Sequence, residues 1–204
     1  SLSHIMADFN TAIETLAVNP NNTMEQSEVM RQGKEVALML NRMSDTVQEL
    51  RLQTDADIAT TTTRIGEILS TINTLNNQLI SNKAINVDVT DLRDQRDMAL
   101  DELSGLIDIR YYYRGDGDAV VFTEGGRTLV DNSPATVTHL QASAINSTTN
   151  HSEGDLNGIY IGAVTAANDI TSEIRNGKLP VVGSYYNVGG SSSSGSCSSS
   201  NMTQ

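Results

Sequence analysis

The chain of 204 residues carries 25 acidic and 13 basic side chains for a net charge of −12, and its aromatic residues are six Tyr and two Phe with no Trp. That charge opposes binding to nucleic-acid phosphates or anionic membrane surfaces, and the scarcity of rings leaves a core to be built from aliphatic side chains where elements meet. No run of about 18 apolar residues occurs, so no membrane-spanning helix is expected. The first ten residues lack the basic and apolar regions of a secretory signal, and the lone Cys197, in a Ser-rich stretch, excludes an intrachain disulfide framework.

In chain order, Phe9, Ile13, Leu16 and Ala17 share one face of a short helix expected over residues 7–18. Pro20, with Asn19, Asn21 and Asn22 around it, stops that helix. Thr23 then serves as the N-cap of a second helix, with Glu25 and Glu28 placed where the helix dipole favours negative charge. From there to Ser81 no proline occurs and the glycines are Gly33 and Gly66. Val36, Leu40, Met43, Val47 and Leu50 step alternately by four and three residues. Ile58, Thr61, Ile65, Ile68, Ile72, Leu75 and Leu79 do much the same, so each half is a heptad-type packing seam. The consecutive steps of four from Leu50 to Thr54 to Ile58 form a stutter that locally unwinds a left-handed supercoil. The four threonines Thr60 to Thr63 are poor helix formers by roughly half a kcal/mol each, too little to break a helix with a seam on both sides. The pattern predicts one helix over 23–81, roughly 85 Å long at 1.5 Å per residue, as the spine of a rod that needs partner helices from this chain or others. Met24, Met30, Met39 and Met43 read as adaptable packing rather than as ligands.

After a break, Thr90 or Asp91 caps a helix expected over 91–107 whose apolar face is Leu92, Ala99, Leu103 and Leu106. The period then changes to two: "IDIRYYYR", a "GDGD" turn, "AVVFT", an "EGG" turn and "RTLV" read as consecutive antiparallel strands. The expected organisation is a helical rod domain over 1–107 and a small β domain over 108–165, weakly strand-like from residue 135. A short helix or return segment follows over 166–179, then a Ser/Gly-rich tail or insertion over 180–204. The fold class is α+β: an elongated bundle of long α-helices with a small antiparallel β domain.

Little in the sequence points to chemistry. His4, His139 and His151 share no helix-spaced acidic or histidine partners, so neither a metal nor another cofactor is expected. Asp116 and Asp118 imitate the start of a calcium loop, but Val120 and Arg127 stand where ligands are required. No nucleophile elbow, phosphate-binding glycine loop or Cys/His pair is present, and no enzymatic activity is expected. The sequons at Asn22, Asn146, Asn150 and Asn201 are what a chain rich in Asn, Ser and Thr produces by composition. In the charged stretch "DLRDQRDMALDEL", Asp94 lies between Arg93 and Arg96, and Arg93 stands four residues before Asp97. Opposite charges at these spacings neutralise one another and keep the carboxylates ionised. Arg93, Asp94, Arg96 and Asp97 are therefore read as an ion-paired connecting helix. Arg96 falls on the apolar side, and a salt bridge from it to the following sheet is expected.

The order of these motifs carries a resemblance. "ADFNTAIETLAVNP", a long helix with "TRIGEILSTINTLNNQLI", then "VTDLRDQRDMALDELSGLIDI", a hairpin and "GGRTLVDN" together resemble the flagellar hook-associated proteins of the hook-filament junction. The likeness runs over about residues 8–131 and more loosely to "NGKL" at 176–179. It implies a central fragment, lacking both terminal segments, of a structural subunit of the bacterial flagellum that joins hook to filament. Such a subunit is exported through the type III apparatus and located in the extracellular flagellum. The partners it implies are the hook protein, a second junction protein, copies of the same subunit and an export chaperone for the full-length protein, with no nucleic acid and no membrane. The alternative reading is a helical dimeric surface adhesin or sensor-type extracellular protein, dimerising through the seam and offering the "RGD" of Arg114 to Asp116 on a hairpin tip.

Overall fold

A computed structural model describes residues 1–85, 87–149, 151 and 154–174. They fall into two compact units that divide inside the second helix, one of residues 1–51 and one beginning at Leu52.

In the first unit, helix α1 spans Leu2–Val18. It begins before residue 7, because nothing in Leu2–Met6 breaks a helix and the backbone N–H groups of His4 and Ile5 already bond to Ser1 O. The end at Asn19, whose N–H returns to Leu16 O, is set by Pro20, which has no N–H to continue the ladder. Helix α2 spans Thr23–Ala84. Its cap is Asn22 rather than Thr23: Asn22 Oδ1 accepts the N–H of Met24 at 3.0 Å. Phe9 of α1 lies over Gly33 of α2, where an added Cβ would come within 3.3 Å of the ring, so glycine permits the ring's seat. Ala12, three residues after Phe9 on α1, is buried.

The second unit contains the rest of α2, helix α3 (Thr90–Leu106) and two small sheets. Asp88 initiates α3, with Oδ1 accepting from Thr90 N at 3.0 Å and Thr90 Oγ1 at 2.8 Å. Neither Thr90 nor Asp91 is the cap; the capping position is Val89. Strands β1 (Ile109–Tyr113), β2 (Ala119–Thr123) and β3 (Thr128–Val130) form an antiparallel sheet in that order. Gly117 at φ 93° and Gly126 at φ 83° make the two turns in a conformation that side chains disfavour. A bulge interrupts the β2–β3 register between Val121 and Phe122. Central β2 is buried at Ala119, Val120, Val121 and Thr123, covered on both faces.

Strands β4 (Val137–His139) and β5 (Ile159–Ile161) pair antiparallel, with His139 opposite Ile159. Of the short helix or return segment expected over 166–179, the described part contains a 3-10 turn at Ala166–Asn168. The chain then runs back along β5, Asp169 bridging to Tyr160 and Ile170 N donating to Ile159 O at 2.8 Å. The β region therefore continues past residue 165. Residues 175–179 and the 180–204 segment with Cys197 lie outside the described residues. One core joins Ile58, Ile65, Ile68, Leu69 and Ile72 of α2, Leu100 and Leu103 of α3, and Val121, Leu129, Ile159 and Ile170 of the β region. The fold is α+β, long helices with small antiparallel sheets.

Candidate functional site

The polar side chains with the most specific surroundings fasten the β strands to the helices of the second unit. Asn76 of α2 is buried, and its amide spans Ala119 as a neighbouring strand would: Nδ2 donates to Ala119 O at 2.8 Å and Oδ1 accepts from Ala119 N at 2.9 Å. Asn76→Ala orphans both backbone groups and is expected to lower stability by about 2 kcal/mol, measurable as a shifted urea midpoint at unchanged slope. In the last turn of α2, Lys83 Nζ donates to Gly115 O at 2.9 Å and Asp116 O at 3.4 Å, holding the hairpin tip.

Arg96 holds the same tip from α3. Its side chain is 4% exposed. Nη1 donates to Gly117 O at 2.5 Å, and the guanidinium lies 4.3 Å from the centroid of the Tyr113 ring. Asp97, its ion-pair partner at 3.2 Å, sits on the same helix and also accepts the Tyr113 hydroxyl at 3.0 Å. The expected salt bridge from Arg96 to the sheet is thus replaced by a backbone carbonyl and a ring, because the β1–β2 hairpin presents those groups to α3. Burial, and then the hydrogen bond to Asp97, push the Tyr113 phenol above its ordinary value, while Arg96 opposes them. Arg93 and Asp94 are exposed and make no ion pair among the described residues, which corrects the fully paired helix expected from spacing.

A third tie lies deeper. Asp55 of α2 and His139 of β4 have fully buried side chains, with Oδ1 3.0 Å from Nε2. Asp55 Oδ2 accepts from Ala142 N at 2.6 Å, and His139 Nδ1 faces Gly158 O at 3.0 Å. Asp55 stands three residues before Ile58, and Asn76 four after Ile72. A polar residue in register with an apolar seam was the available signal for both.

The two halves of the α2 seam differ. Ile58, Ile65, Ile68, Ile72, Leu75 and Leu79 are buried, with Thr61, Thr62 and Leu69 beside them. In the first unit Val36 is half-buried, and Leu40, Met43, Val47 and Leu50 are 42–56% exposed. Met24 and Met30 are exposed as well, so they do not pack within the described residues. Of the "RGD" residues, Arg114 is drawn to Asp118 at 3.1 Å and to Asp131. Among the described residues no group of three or more His, Cys, Asp or Glu side chains is placed to hold a metal ion, and no helix is long and apolar enough to cross a membrane.

Helices that clasp small antiparallel sheets through backbone-directed polar side chains define an α+β fold. The chain belongs to the family of the flagellar hook-associated protein FlgK helical domain, whose model matches residues 1–190. It is similar to flagellar hook-associated protein 1 of Bacillus subtilis (strain 168), 30% identical over 125 residues that make up 61% of this chain and 25% of that protein. Its fold is that of the flagellar hook junction protein FlgK of Burkholderia pseudomallei, with a TM-score of 0.74 at 20% identity over 90% of this chain and 32% of that one. The chain therefore spans about a quarter of the length of the curated relative and about a third of the solved one.

Proposed function

We propose that the chain is part of a structural component of the bacterial flagellum that joins hook to filament, acting by packing and not by catalysis. The observation that carries this reading is the family match over residues 1–190. Its partners in the axial structure are the hook protein, a second junction protein and copies of itself, and the full-length protein travels with an export chaperone to an extracellular flagellum. The largely exposed half of the seam, Leu40, Met43, Val47 and Leu50 with the half-buried Val36, is the face for a further helix, in line with a chain that spans 25% of the length of its curated relative. The ties at Arg96, Asn76 and Asp55 keep the β unit in place on the helices under the load a motility organelle carries. The adhesin reading is disfavoured because Arg114 of the "RGD" is bound to Asp118 and Asp131.

Deleting the full gene in its own organism tests the proposal. Cells are expected to keep hooks, lose filaments and swimming, and release filament subunits into the medium. A deletion strain with normal filaments would sink it.

A further inference from the structure

A neutral imidazole carries one proton on its two nitrogens. Both nitrogens of His139 face groups that have no proton to give: Nδ1 lies 3.0 Å from Gly158 O, and Nε2 lies 3.0 Å from Asp55 Oδ1. A backbone carbonyl only accepts, and so does an ionised carboxylate. With a neutral ring and an ionised Asp55, one of these contacts sets a nitrogen lone pair against an oxygen lone pair, whichever tautomer the ring takes. Neither side chain has exposed surface, so water does not relieve the repulsion. One further proton removes it. On Nε2 that proton makes an imidazolium–carboxylate pair, and on Oδ1 it makes a carboxylic acid donating to a neutral ring. In both forms the pair is uncharged as a whole, the state that burial favours.

We propose that the Asp55–His139 contact is a proton-binding latch: one proton between Oδ1 and Nε2 fastens the β4–β5 region to α2, and its loss to solvent in mild alkali releases that region. The latch reaches both sides of the β4–β5 connection, through the Ala142 N–H on Oδ2 and through Gly158 O on Nδ1. Because the pair is enclosed, the proton leaves only as the site opens, so proton release and opening are one event. Opening leaves a solvated carboxylate and a neutral ring. The sign follows: the closed form holds a proton that the unfolded chain gives up above about pH 6.5, so the attachment is complete in mild acid and weakens as pH rises. Other charges stand near the pair. Arg51, four residues before Asp55 on α2, disfavours an added proton. Asp169, whose carboxylate crowds Gly158, favours one, and it pairs in turn with His151 at 3.5 Å. The inference does not require the flagellar assignment.

The test follows the 204-residue chain from about pH 5.5 to about pH 9, with His151→Gln in every sample so that the other buried-side pair does not contribute. Hydrogen exchange at Ala142, corrected for its base catalysis, gives a protection factor at each pH. That factor is expected to fall by about tenfold per pH unit over the range in which the closed pair alone still holds the proton. Asp55→Asn needs no such proton, since its amide N–H can donate to Nε2 while its oxygen accepts the Ala142 N–H. Its protection factor is expected to stay level above about pH 6.5. A second measurement needs no variant at position 55: nitrogen resonances of the labelled His139 ring at about pH 6.5 are expected to show a proton on Nδ1 and a second one on or hydrogen-bonded to Nε2. The proposal is overturned if Nε2 shows a bare lone pair there, if protection at Ala142 is level across the range in the parent, or if the asparagine protein loses protection with the parent's slope.

Discussion

Asp55→Ala is expected to destabilise the second unit by about 3–5 kcal/mol, the cost of removing one partner of a buried polar pair. The geometry says why the loss is large. Gly158 O can only accept, so His139 Nδ1 carries a proton and donates to it. Nε2 faces Asp55 Oδ1, and the other carboxylate oxygen takes the Ala142 N–H. Alanine at position 55 leaves Nε2 and the Ala142 N–H in a dry site with nothing to bond. The β4 strand and the segment after it then lose their attachment to α2. Asp55→Asn is the discriminating control: its side-chain oxygen can accept the Ala142 N–H and its amide N–H can donate to Nε2, so a smaller cost, near 1 kcal/mol, is expected. Urea unfolding followed by circular dichroism measures both. Hydrogen exchange at Ala142 reports the local event, with protection lost in the alanine variant and largely kept in the asparagine one. An alanine variant as stable as the parent would mean that the pair does not hold the β region.

The α+β class and the family resemblance were legible in the sequence because they rest on periodicity and on the order of motifs, both local properties. Packing was legible only in part. The heptad steps are as regular from Val36 to Leu50 as from Ile65 to Leu79, yet the first set is largely exposed and the second buried. Periodicity reports a helix's amphipathicity, not whether its partner belongs to the same chain. The buried stripe is also wider than the seam, adding Thr62, Leu69 and Asn76, because α2 meets a helix and β strands rather than one helix. Leu100 was missed on α3 for the same reason, while Leu106, counted on its apolar face, packs at the margin. The polar ties were beyond reach because their partners are remote: Asn76 bonds a residue 43 positions on, and Asp55 one 84 positions on. Strands β4 and β5 have three residues each, too few for alternation to register.

Arg96→Met is the second large effect expected, about 3 kcal/mol, combining a charge-assisted hydrogen bond of roughly 1.5–3 kcal/mol with a cation–π contact of about 1 kcal/mol. Methionine keeps the apolar stem against the core but leaves Gly117 O without its buried donor and the Tyr113 ring without its cation. Arg96→Lys retains the charge and should recover part of the loss, since an ammonium reaches the carbonyl or the ring but does not span both as a planar guanidinium does. The phenol supplies a second readout with a definite sign. Tyr113 already titrates above its ordinary 10.0, and the nearby Arg96 charge is what holds it down. Removing that charge disfavours phenolate further, so the folded Arg96→Met protein should release the Tyr113 proton at still higher pH. The linkage follows the same direction. With the folded value raised, the stabilisation is complete below the unfolded value and drains away as pH climbs through the folded one. The methionine variant should therefore keep its phenol-linked stability to a higher pH than the parent, although its total stability at neutral pH is lower. Absorbance of the phenolate during a base titration, read beside thermal unfolding, separates the two effects. A variant whose melting point falls while the phenol titrates as before would place Arg96 in the packing of α3 alone, and the clasp on the hairpin would have to be withdrawn.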